Sequence, residues 1–358
     1  MKKDIRTLKY EEINEFFLAR QEKTFRAKQV YEWLWKKSAR DFNEMTNLSK
    51  LTRELLVENF AIYPITLEKT QHSRDRTIKS AFRLFDGNMV EGVLIPTTDR
   101  TTACVSTQAG CSLTCKFCAT GRLDRIRNLN ADEIYDQVAI IKKQAETEYG
   151  LPLSNVVYMG MGEPLLNYKN VLDSIEKITS PEGLAMSPRR ITVSTAGISK
   201  MIKKAGDDKV KFNLALSLHA ANDLKRNKIM PINESNTLKT LSEALVYFHE
   251  KTGTRITIEY IIFKNFNDEL KDVMELAQFT KAFPCKVNII EYNPIDGGEF
   301  EQASKENVER FANFLESKNM IVNIRRSRGK DIDAACGQLA NKSTVVNKQQ
   351  SGEVILPQ

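Results

Sequence analysis

Long apolar runs are missing from this sequence of 358 residues, and no uncharged stretch is both apolar and long enough to span a bilayer. The first residues, MKKDIRTLKYEEINEF, bring charges every few positions, where a secretory signal peptide would need an apolar stretch. We therefore expect no membrane association and a location in the cytoplasm. Internal repeats and low-complexity tracts are also missing, and with 41% hydrophobic and 28% charged residues the composition indicates a globular chain.

Cysteine and histidine are scarce, with six and three residues respectively. A cytoplasmic protein is not expected to build a disulfide framework from six cysteines, because that compartment keeps thiols reduced. Cysteines that cluster in such a chain therefore point to metal or redox chemistry. No histidine lies close to the clustered cysteines in sequence, so a zinc site of mixed cysteine and histidine ligands has little support.

The balance of charge is positive, with 53 lysines and arginines against 46 aspartates and glutamates and a net charge of +7. This excess favours a polyanionic partner such as nucleic acid without establishing one. The length fits two or three domains, at about 150 residues each.

Residues 1–75 show helical periodicity, clearest where Ala27, Val30 and Leu34 fall on one face, and they predict a small basic helical domain. Residues 76–100 follow. There, AFRLFDGNMVEGVLIP alternates as the strands of an antiparallel ribbon do. We expect this segment either to extend the next domain or to link the two.

Between residues 101 and 330, short apolar runs alternate with helical patterns, which is typical of parallel βαβ units. The predicted strands are TACVSTQ, NVVYMG, RITVSTAG, FNLALSLH, RITIEYIIF and KVNIIEYNP. In the first intervening helix, Asn130 and Glu133 have the spacing of a capping box. The predicted fold class is α/β: a partial (β/α)6 barrel, preceded by the helical domain and followed by a C-terminal segment, residues 331–358.

The strongest motif is GCSLTCKFCATG, directly after the first predicted barrel strand. A structural zinc site usually takes four protein ligands, whereas three thiolates on a cube of four irons leave one iron open to a small molecule. The C-x3-C-x2-C spacing, with Phe117 before the last cysteine, resembles the radical S-adenosylmethionine (SAM) family. That resemblance implies that SAM chelates the open iron of a [4Fe-4S] cluster held by Cys111, Cys115 and Cys118.

Polar residues follow other predicted strands, and the carboxyl ends of barrel strands are where ligands bind. In MGMGEPL, Gly162 and Glu163 resemble the motif with which the radical SAM family binds the amino group of SAM. Further candidate SAM contacts occur in STAG, SLHA and EYNP: Ser194, Ser217, Leu218, His219 and Asn293. Taken singly, such residues have an alternative as helix caps or turn residues.

Two further cysteines make the resemblance more specific than membership of the radical SAM family. Cys104 lies on the first predicted barrel strand, and Cys336 lies in DIDAACGQL, after the barrel. With CVSTQAGC, CKFCATG, GMGEPLLN, SLHA, MPIN and EYNP in this order, the whole chain resembles the radical SAM methyltransferases that act on C2 of adenine in RNA. Cys285 matches no functional position of that family and is expected to be a small core residue.

The resemblance implies a reaction through Cys336, which receives a methyl group from one of two SAM molecules used per turnover. The carbon of this methyl group then links Cys336 to C2 of adenine, and Glu91 is the implied acceptor of the C2 proton. Cys104 is implied to attack the Cys336 sulfur, so that a transient disulfide forms and the product is released. Glu91 has an alternative as a solvent-facing strand carboxylate. The implied partners are 23S rRNA at the peptidyl-transferase centre, tRNA next to the anticodon, and a flavodoxin-type electron donor. We expect a monomer.

The sequence leaves two alternatives open. The related C8-directed rRNA methyltransferases share the cluster and both extra cysteines, although Pro164 after Glu163 and the QAGC context favour the C2 family. A non-catalytic zinc-dependent RNA-binding protein would also account for the cysteines and the positive charge. For RNA phosphates, the candidate groups flanking predicted strand ends or loops are Arg122, Arg125, Arg127, Arg189, Arg190, Arg325, Arg326 and Arg328.

Overall fold

The computed structural model describes residues 2–341, which begin with a helical unit. Its elements are β1 (Lys3–Asp4), α1 (Tyr10–Leu18), α2 (Phe25–Trp35), α3 (Lys50–Asn59) and β2 (Phe60–Ala61). In α2 the expected apolar face is buried through Ala27, Val30 and Leu34. The hydroxyl of Ser49 caps α3 at its amino end. The helical periodicity predicted for this region is confirmed.

Three antiparallel strands connect this unit to the barrel: β3 (Thr66–His72), β4 (Ile78–Arg83) and β5 (Met89–Pro96). The β4–β5 pair confirms the ribbon predicted from AFRLFDGNMVEGVLIP. β3 lies inside the region that we predicted to be helical, and there the structure differs from the prediction. The side chains of β3 are almost all exposed, so its sequence has no apolar pattern from which a strand could be predicted. The strand is defined by its pairing with β4.

The remaining strands are β6 (Thr101–Cys104), β7 (Gln108–Ala109), β8 (Arg127–Asn128), β9 (Asn155–Tyr158), β10 (Ile191–Thr195), β11 (Asn213–Ser217), β12 (Ile256–Ile262), β13 (Cys285–Glu291) and β14 (Val322–Arg325). A single ten-stranded sheet has the order β14-β13-β12-β11-β10-β9-β6-β5-β4-β3. Its strands from β14 to β6 are parallel, and β5 pairs with β6 in the antiparallel sense. The six predicted barrel strands are confirmed, and the apolar run IVNIRRS adds β14 as a seventh.

The outer helices are α4 (Ala131–Tyr149), α5 (Tyr168–Thr179), α6 (Ser199–Asp207), α7 (Asp223–Ile229), α8 (Leu238–Thr252), α9 (Leu270–Thr280) and α10 (Lys305–Ser317). α4 begins at the predicted capping box, where the Asn130 N–H donates to the Glu133 carboxylate at 2.9 Å. Its inner face buries Ile134, Val138 and Ile141 against the sheet. Between residues 2 and 341, no helix combines the length and apolarity needed to cross a bilayer.

A buried ionic network joins the helical unit to α4. The Arg6 guanidinium donates to Asp136 at 2.8 Å and lies 2.9 Å from Asp132 and 3.0 Å from Asp4. Burial is the main reason that the pKa of Asp132 is raised to about 7, although the Arg6 charge opposes it. One guanidinium thus faces three carboxylates at the contact between the two parts of the chain.

The parallel strands bring their carboxyl ends to one edge of the sheet, where loops of a barrel form ligand sites. The short β7–β8 ribbon brackets the loop that holds the three clustered cysteines. After β14, residues 329–341 return to the same edge, because the carbonyls of Gly337 and Leu339 accept hydrogen bonds from Ala119 and Thr120 in the cysteine loop.

Candidate active site

The cysteine loop is held by its own backbone hydrogen bonds. The Cys111 N–H donates to the Leu123 carbonyl at 3.3 Å, and the Cys118 N–H donates to the Cys115 carbonyl at 3.2 Å. All three side chains line one cleft with about 920 Å³ of empty space, part of it open to solvent. The sequence prediction that these cysteines share a site therefore agrees with their placement, while their role as cluster ligands stays a prediction.

Burial raises the pKa of all three thiols, to about 11 for Cys111 and well above its usual value for Cys115. The proximity of the thiols to one another adds to this effect at Cys111 and Cys115, since each thiolate disfavours the next. A positively charged metal group bound to them would reverse this preference, because coordination deprotonates a thiol. Among residues 2–341, no set of three or more His, Cys, Asp or Glu side chains is arranged to hold a single metal ion.

The glycines of MGMGEPL allow close approach of two protein segments. A Cβ on Gly160 would lie 2.7 Å from the Ser106 hydroxyl, and one on Gly162, where φ is +91°, would lie 2.4 Å from the Gln108 Cβ. These glycines make room for the segment after β6, which holds the Glu163 N–H through the Gln108 side chain at 2.8 Å. Both glycines also line the cleft, and the contact of Gly162 with SAM stays a prediction.

Glu163 is 3% exposed and lines the cleft beside the cysteines. Its carboxylate accepts hydrogen bonds from the N–H groups of Leu165 at 2.9 Å and Ala196 at 2.7 Å. Burial raises the pKa of Glu163 to about 6, and those two backbone donors oppose the rise. A carboxylate has about four lone-pair sites, so Glu163 retains capacity for a ligand donor.

Ser194 and Ser217 end two neighbouring strands, and their hydroxyl oxygens lie 3.2 Å apart at the cleft wall. His219 follows on the same side and accepts a hydrogen bond at Nδ1 from the Ile261 N–H, 3.1 Å away. Burial lowers the pKa of His219 to about 3, and Arg226 lowers it further. The ring is therefore neutral with its proton on Nε2, which gives this residue of the cleft wall one hydrogen-bond donor.

The other two predicted SAM contacts are placed differently. Leu218 is fully buried and does not line the cleft, and its carbonyl already accepts hydrogen bonds from Arg226 and the Ala220 N–H. Asn293 is 3% exposed and donates through Nδ2 to the Cys336 carbonyl at 3.2 Å. Its Oδ1 is buried without a partner among the described residues. Asn293 thus holds the segment of Cys336 and keeps a free acceptor.

Cys104 and Cys336 line a second pocket together with Cys118, adjoining the cysteine cleft. Both are free thiols, and burial raises the pKa of each, to about 12 for Cys104. The proximity of Cys336 adds to the rise at Cys104, while the Arg325 guanidinium opposes it at both sulfurs. Cys336 keeps solvent access through the cleft, even though protein surrounds it closely enough to disfavour its thiolate. The two cysteines predicted to react with each other thus share one pocket.

Glu91 is fully buried on β5, so the alternative of a solvent-facing strand carboxylate is wrong. Its Oε2 accepts a hydrogen bond from the Ala340 N–H at 2.9 Å, and its Oε1 lies 3.5 Å from the Lys79 ammonium. Lys79 in turn donates to the Asp333 carbonyl at 3.4 Å. Glu91 lines neither pocket of the site. In this arrangement the carboxylate and Lys79 hold the segment that bears Cys336.

The sequence did not single out two groups that organise the site. Arg226 is fully buried and donates to the carbonyls of Ala196 and Leu218, which fixes the segments after β10 and β11. Glu259 pairs with Arg325 at 3.4 Å and directs that guanidinium toward Cys104 and Cys336. A charged residue within the apolar run RITIEYIIF was the available signal for Glu259.

Most of the arginines proposed to hold phosphates are engaged within the protein. Hydrogen bonds or ion pairs hold six of them: Arg122, Arg125, Arg127, Arg325, Arg326 and Arg328. The guanidinium groups of Arg189 and Arg190 form no ion pair and no hydrogen bond with the described part of the chain.

The barrel with a three-cysteine loop after its first strand defines a radical SAM protein, and the family comparisons agree. The model described as "Radical SAM superfamily" matches residues 105–277, and the model described as "Ribosomal RNA large subunit methyltransferase N-terminal domain" matches residues 3–62. A crystal structure of a radical SAM methyltransferase from Sphaerobacter thermophilus has a TM-score of 0.89 and 37% identity, covering 94% of this chain and 99% of that one.

Relatives specify the family within this class. The probable dual-specificity RNA methyltransferase RlmN of Cytophaga hutchinsonii is 62% identical over 341 residues, 95% of this chain and 93% of that protein. The dual-specificity RNA methyltransferase RlmN of Geotalea uraniireducens is 42% identical over 341 residues, 95% and 97% of the two chains. The chain belongs to the RlmN family of dual-specificity RNA methyltransferases. Neither the C8-directed enzymes nor a zinc-dependent binding module is favoured.

Membership of the radical SAM superfamily implies a [4Fe-4S] cluster and SAM. The residues present fit this pair. Three thiols from one loop share a cleft, and the rest of its wall offers hydrogen-bonding groups suited to a small polar molecule: Glu163, Ser194, Ser217 and His219.

Proposed function

We propose that this enzyme methylates C2 of adenine in 23S rRNA and in tRNA through a methylated Cys336. The observation that supports this proposal best is the shared pocket of Cys104 and Cys336 next to the cysteine cleft. A methyltransferase that moved a methyl group directly to a nucleophilic atom would need neither thiol. C2 of adenine is electron-poor and is no such nucleophile, so a covalent carrier and a resolving thiol have a chemical purpose there.

Cys111, Cys115 and Cys118 would hold the cluster, and Glu163, Ser194, Ser217 and His219 would bind SAM. When bound, this pair supplies a methyl group and, after reduction, a radical that abstracts hydrogen from carbon. Asn293 positions Cys336 by the hydrogen bond to its carbonyl. The neutral His219 offers a donor that stays uncharged at physiological pH.

The chain's own residues perform the other steps. The Cys336 thiolate accepts the methyl group, and this carbon, once one hydrogen atom has been removed from it by the radical, forms a bond to adenine C2. Glu91 accepts the C2 proton, and the one surplus electron would return to the bound cofactors. The Cys104 thiolate then attacks the Cys336 sulfur, so that an S–S bond forms and the Cys336 sulfur–carbon bond breaks; the released carbon takes up a proton and the methylated adenine leaves. Burial raises the pKa of both thiols, and the Arg325 guanidinium opposes that rise and so favours the thiolate that each step needs.

The test is product analysis with anaerobically reconstituted enzyme, SAM, a reductant and either tRNA or a 23S rRNA fragment. We expect digestion of the RNA to yield 2-methyladenosine, and peptide mass spectrometry to find the methyl group on Cys336. Cys285→Ala is the matched control, because Cys285 lies on the amino end of β13 away from both pockets, and it should retain full activity. Formation of 8-methyladenosine, or a methyl group on Cys285, would overturn the proposal.

A further inference from the structure

Basic residues gather at the end of the barrel opposite the cysteines. Three successive turns that lead into β10, β11 and β12 supply five cations, which with Asn213 line one cleft of about 1130 Å³ of empty space, partly open to solvent. We call this the basic cleft, and its cations are Arg189, Lys209, Lys211, Lys251 and Arg255. The active site lies at the carboxyl ends of the same strands, so the two sites occupy opposite ends of the barrel.

The charge of the basic cleft is not neutralised by the described residues. All five cations are exposed, and none forms an ion pair with an acid between residues 2 and 341. The two carboxylates that directly precede Lys209 are engaged elsewhere: Asp208 pairs with Lys204 at 3.0 Å, and Asp207 accepts a hydrogen bond from the Tyr247 hydroxyl. No acidic residue lines the cleft. Five like charges around one concave surface attract anions, because the low-dielectric wall focuses their field.

The frame of the cleft is fixed by the fold. The Asn213 amide donates to the carbonyls of Arg189 at 2.8 Å and Ile191 at 3.0 Å, which holds the first turn against β11. In the third turn Gly253 ends α8 with φ of +66°, and the Thr254 N–H donates to the Thr252 hydroxyl at 3.1 Å. The cations therefore extend from turns that are ordered before any ligand binds.

The residues that line the basic cleft indicate which class of molecule it binds. No aromatic side chain and no large apolar side chain apart from Val210 lines the cleft, so it has neither a base-stacking platform nor the buried anchors of a protein interface. Lysine and arginine side chains are groups that contact phosphodiester oxygens, whereas the Asn213 amide is already committed to the carbonyls of Arg189 and Ile191. We propose that the basic cleft binds the phosphate backbone of the substrate RNA at a point remote from the target adenine. This inference rests on the proposed function for the identity of the RNA.

The position at the far end of the barrel makes a distinct prediction. A short stem-loop that places its adenine in the active site does not extend around the barrel, whereas a full-length tRNA or an rRNA domain presents phosphates well beyond the loop. The basic cleft should therefore contribute to binding of the large RNA and not to binding of the isolated loop.

The test is the double variant Lys211→Glu/Arg255→Glu in the reconstituted enzyme. Lys239→Glu/Lys271→Glu is the matched control, because it changes the net charge equally at exposed positions on α8 and α9. Binding of full-length tRNA and of its anticodon stem-loop is measured by fluorescence anisotropy between low and physiological salt. We expect tRNA affinity to fall about tenfold or more, with the slope of log K against log salt reduced by about two. Stem-loop binding and all binding by the control should stay unchanged.

Unchanged tRNA affinity and salt slope in the double variant would overturn the inference. So would an equal loss for the stem-loop, which would indicate long-range charge and no contact. If the variant binds tRNA normally but is reduced poorly by a flavodoxin-type protein and well by dithionite, the cleft receives an acidic protein and the inference fails. Absence of 2-methyladenosine from wild-type reactions would contradict the proposed function alone, because the binding measurement does not depend on turnover.

Discussion

Replacement of Lys79 by methionine should expose how tightly the segment of Cys336 is held. The side chains of Lys79 and Glu91 are 5% and 0% exposed, and their charged atoms lie 3.5 Å apart. Methionine fills nearly the same volume, so the change removes a charge without opening a large cavity. The Glu91 carboxylate would then remain buried, with the Ala340 N–H as its only hydrogen-bond donor among residues 2–341.

Breaking a buried ion pair by removing one partner typically lowers the free energy of unfolding by about 3–5 kcal/mol. The 3.5 Å separation is long for a charge-assisted contact, so we expect a loss near the lower end, about 3 kcal/mol. Part of the effect should be local. Lys79 also donates to the Asp333 carbonyl, and backbone amides of residues 333–340 should exchange hydrogen faster in the variant.

The assay is urea unfolding of the wild type, Lys79→Met, Glu91→Gln and the double variant. The double variant should recover much of the loss, since neither charge remains and the amide of glutamine can still accept from Ala340. Arg83→Met is the control on the same strand, because its pair with Glu68 is solvent-exposed, and it should change stability far less. The reasoning is refuted if Lys79→Met behaves like Arg83→Met, or if the two single losses simply add.

Three further results are expected. Cys115→Ala should lose the visible absorption of the cluster and reductive SAM cleavage while its far-ultraviolet circular dichroism stays normal, and full deoxyadenosine production would contradict its role as a ligand. Cys104→Ala should accumulate an RNA–protein adduct through Cys336 on a denaturing gel, whereas free, normally methylated RNA would assign Cys104 to the core. Because burial raises the pKa of Asp132 from 3.8 to about 7, the folded state holds a proton that the unfolded state releases, and this group's stabilisation is lost as pH rises through that window. In urea titrations, the free energy of unfolding of the wild type should therefore fall relative to that of Asp132→Asn as the pH rises between those two values. A difference that does not change with pH would contradict this expectation.

The barrel could be predicted because its signals are local. Apolar runs such as NVVYMG and RITVSTAG form strands that are largely buried between the outer helices and the barrel interior, and the Asn130 capping box fixes the start of α4 within a few residues. β3 could not be predicted in the same way. Its residues, TLEKTQH, have no buried face, and only the main chain of β4 makes them a strand.

In the active site, too, only the features that have a local sequence pattern could be predicted. Spacing alone placed Cys111, Cys115 and Cys118 together, because eight residues of one loop cannot separate far. The partners of Glu91 could not be found from the sequence, because Lys79 belongs to another strand and Ala340 is separated from Glu91 by 249 positions. Such contacts depend on the register of the sheet and on the return of the C-terminal segment, neither of which leaves a local pattern.

The contacts of Glu91 also constrain how the proposed proton transfer can occur. A base must reach the proton that it removes within hydrogen-bond distance or through one water. Here one carboxylate oxygen holds the Ala340 N–H, the other faces Lys79, and neither pocket of the site is lined by Glu91. If Glu91 is the proton acceptor, the segment after Cys336 must release it first. In the proposed reaction Cys336, which belongs to the same segment, bears the carbon that joins adenine, so a movement of Cys336 toward the RNA would free the carboxylate at the step where the C2 proton has to leave.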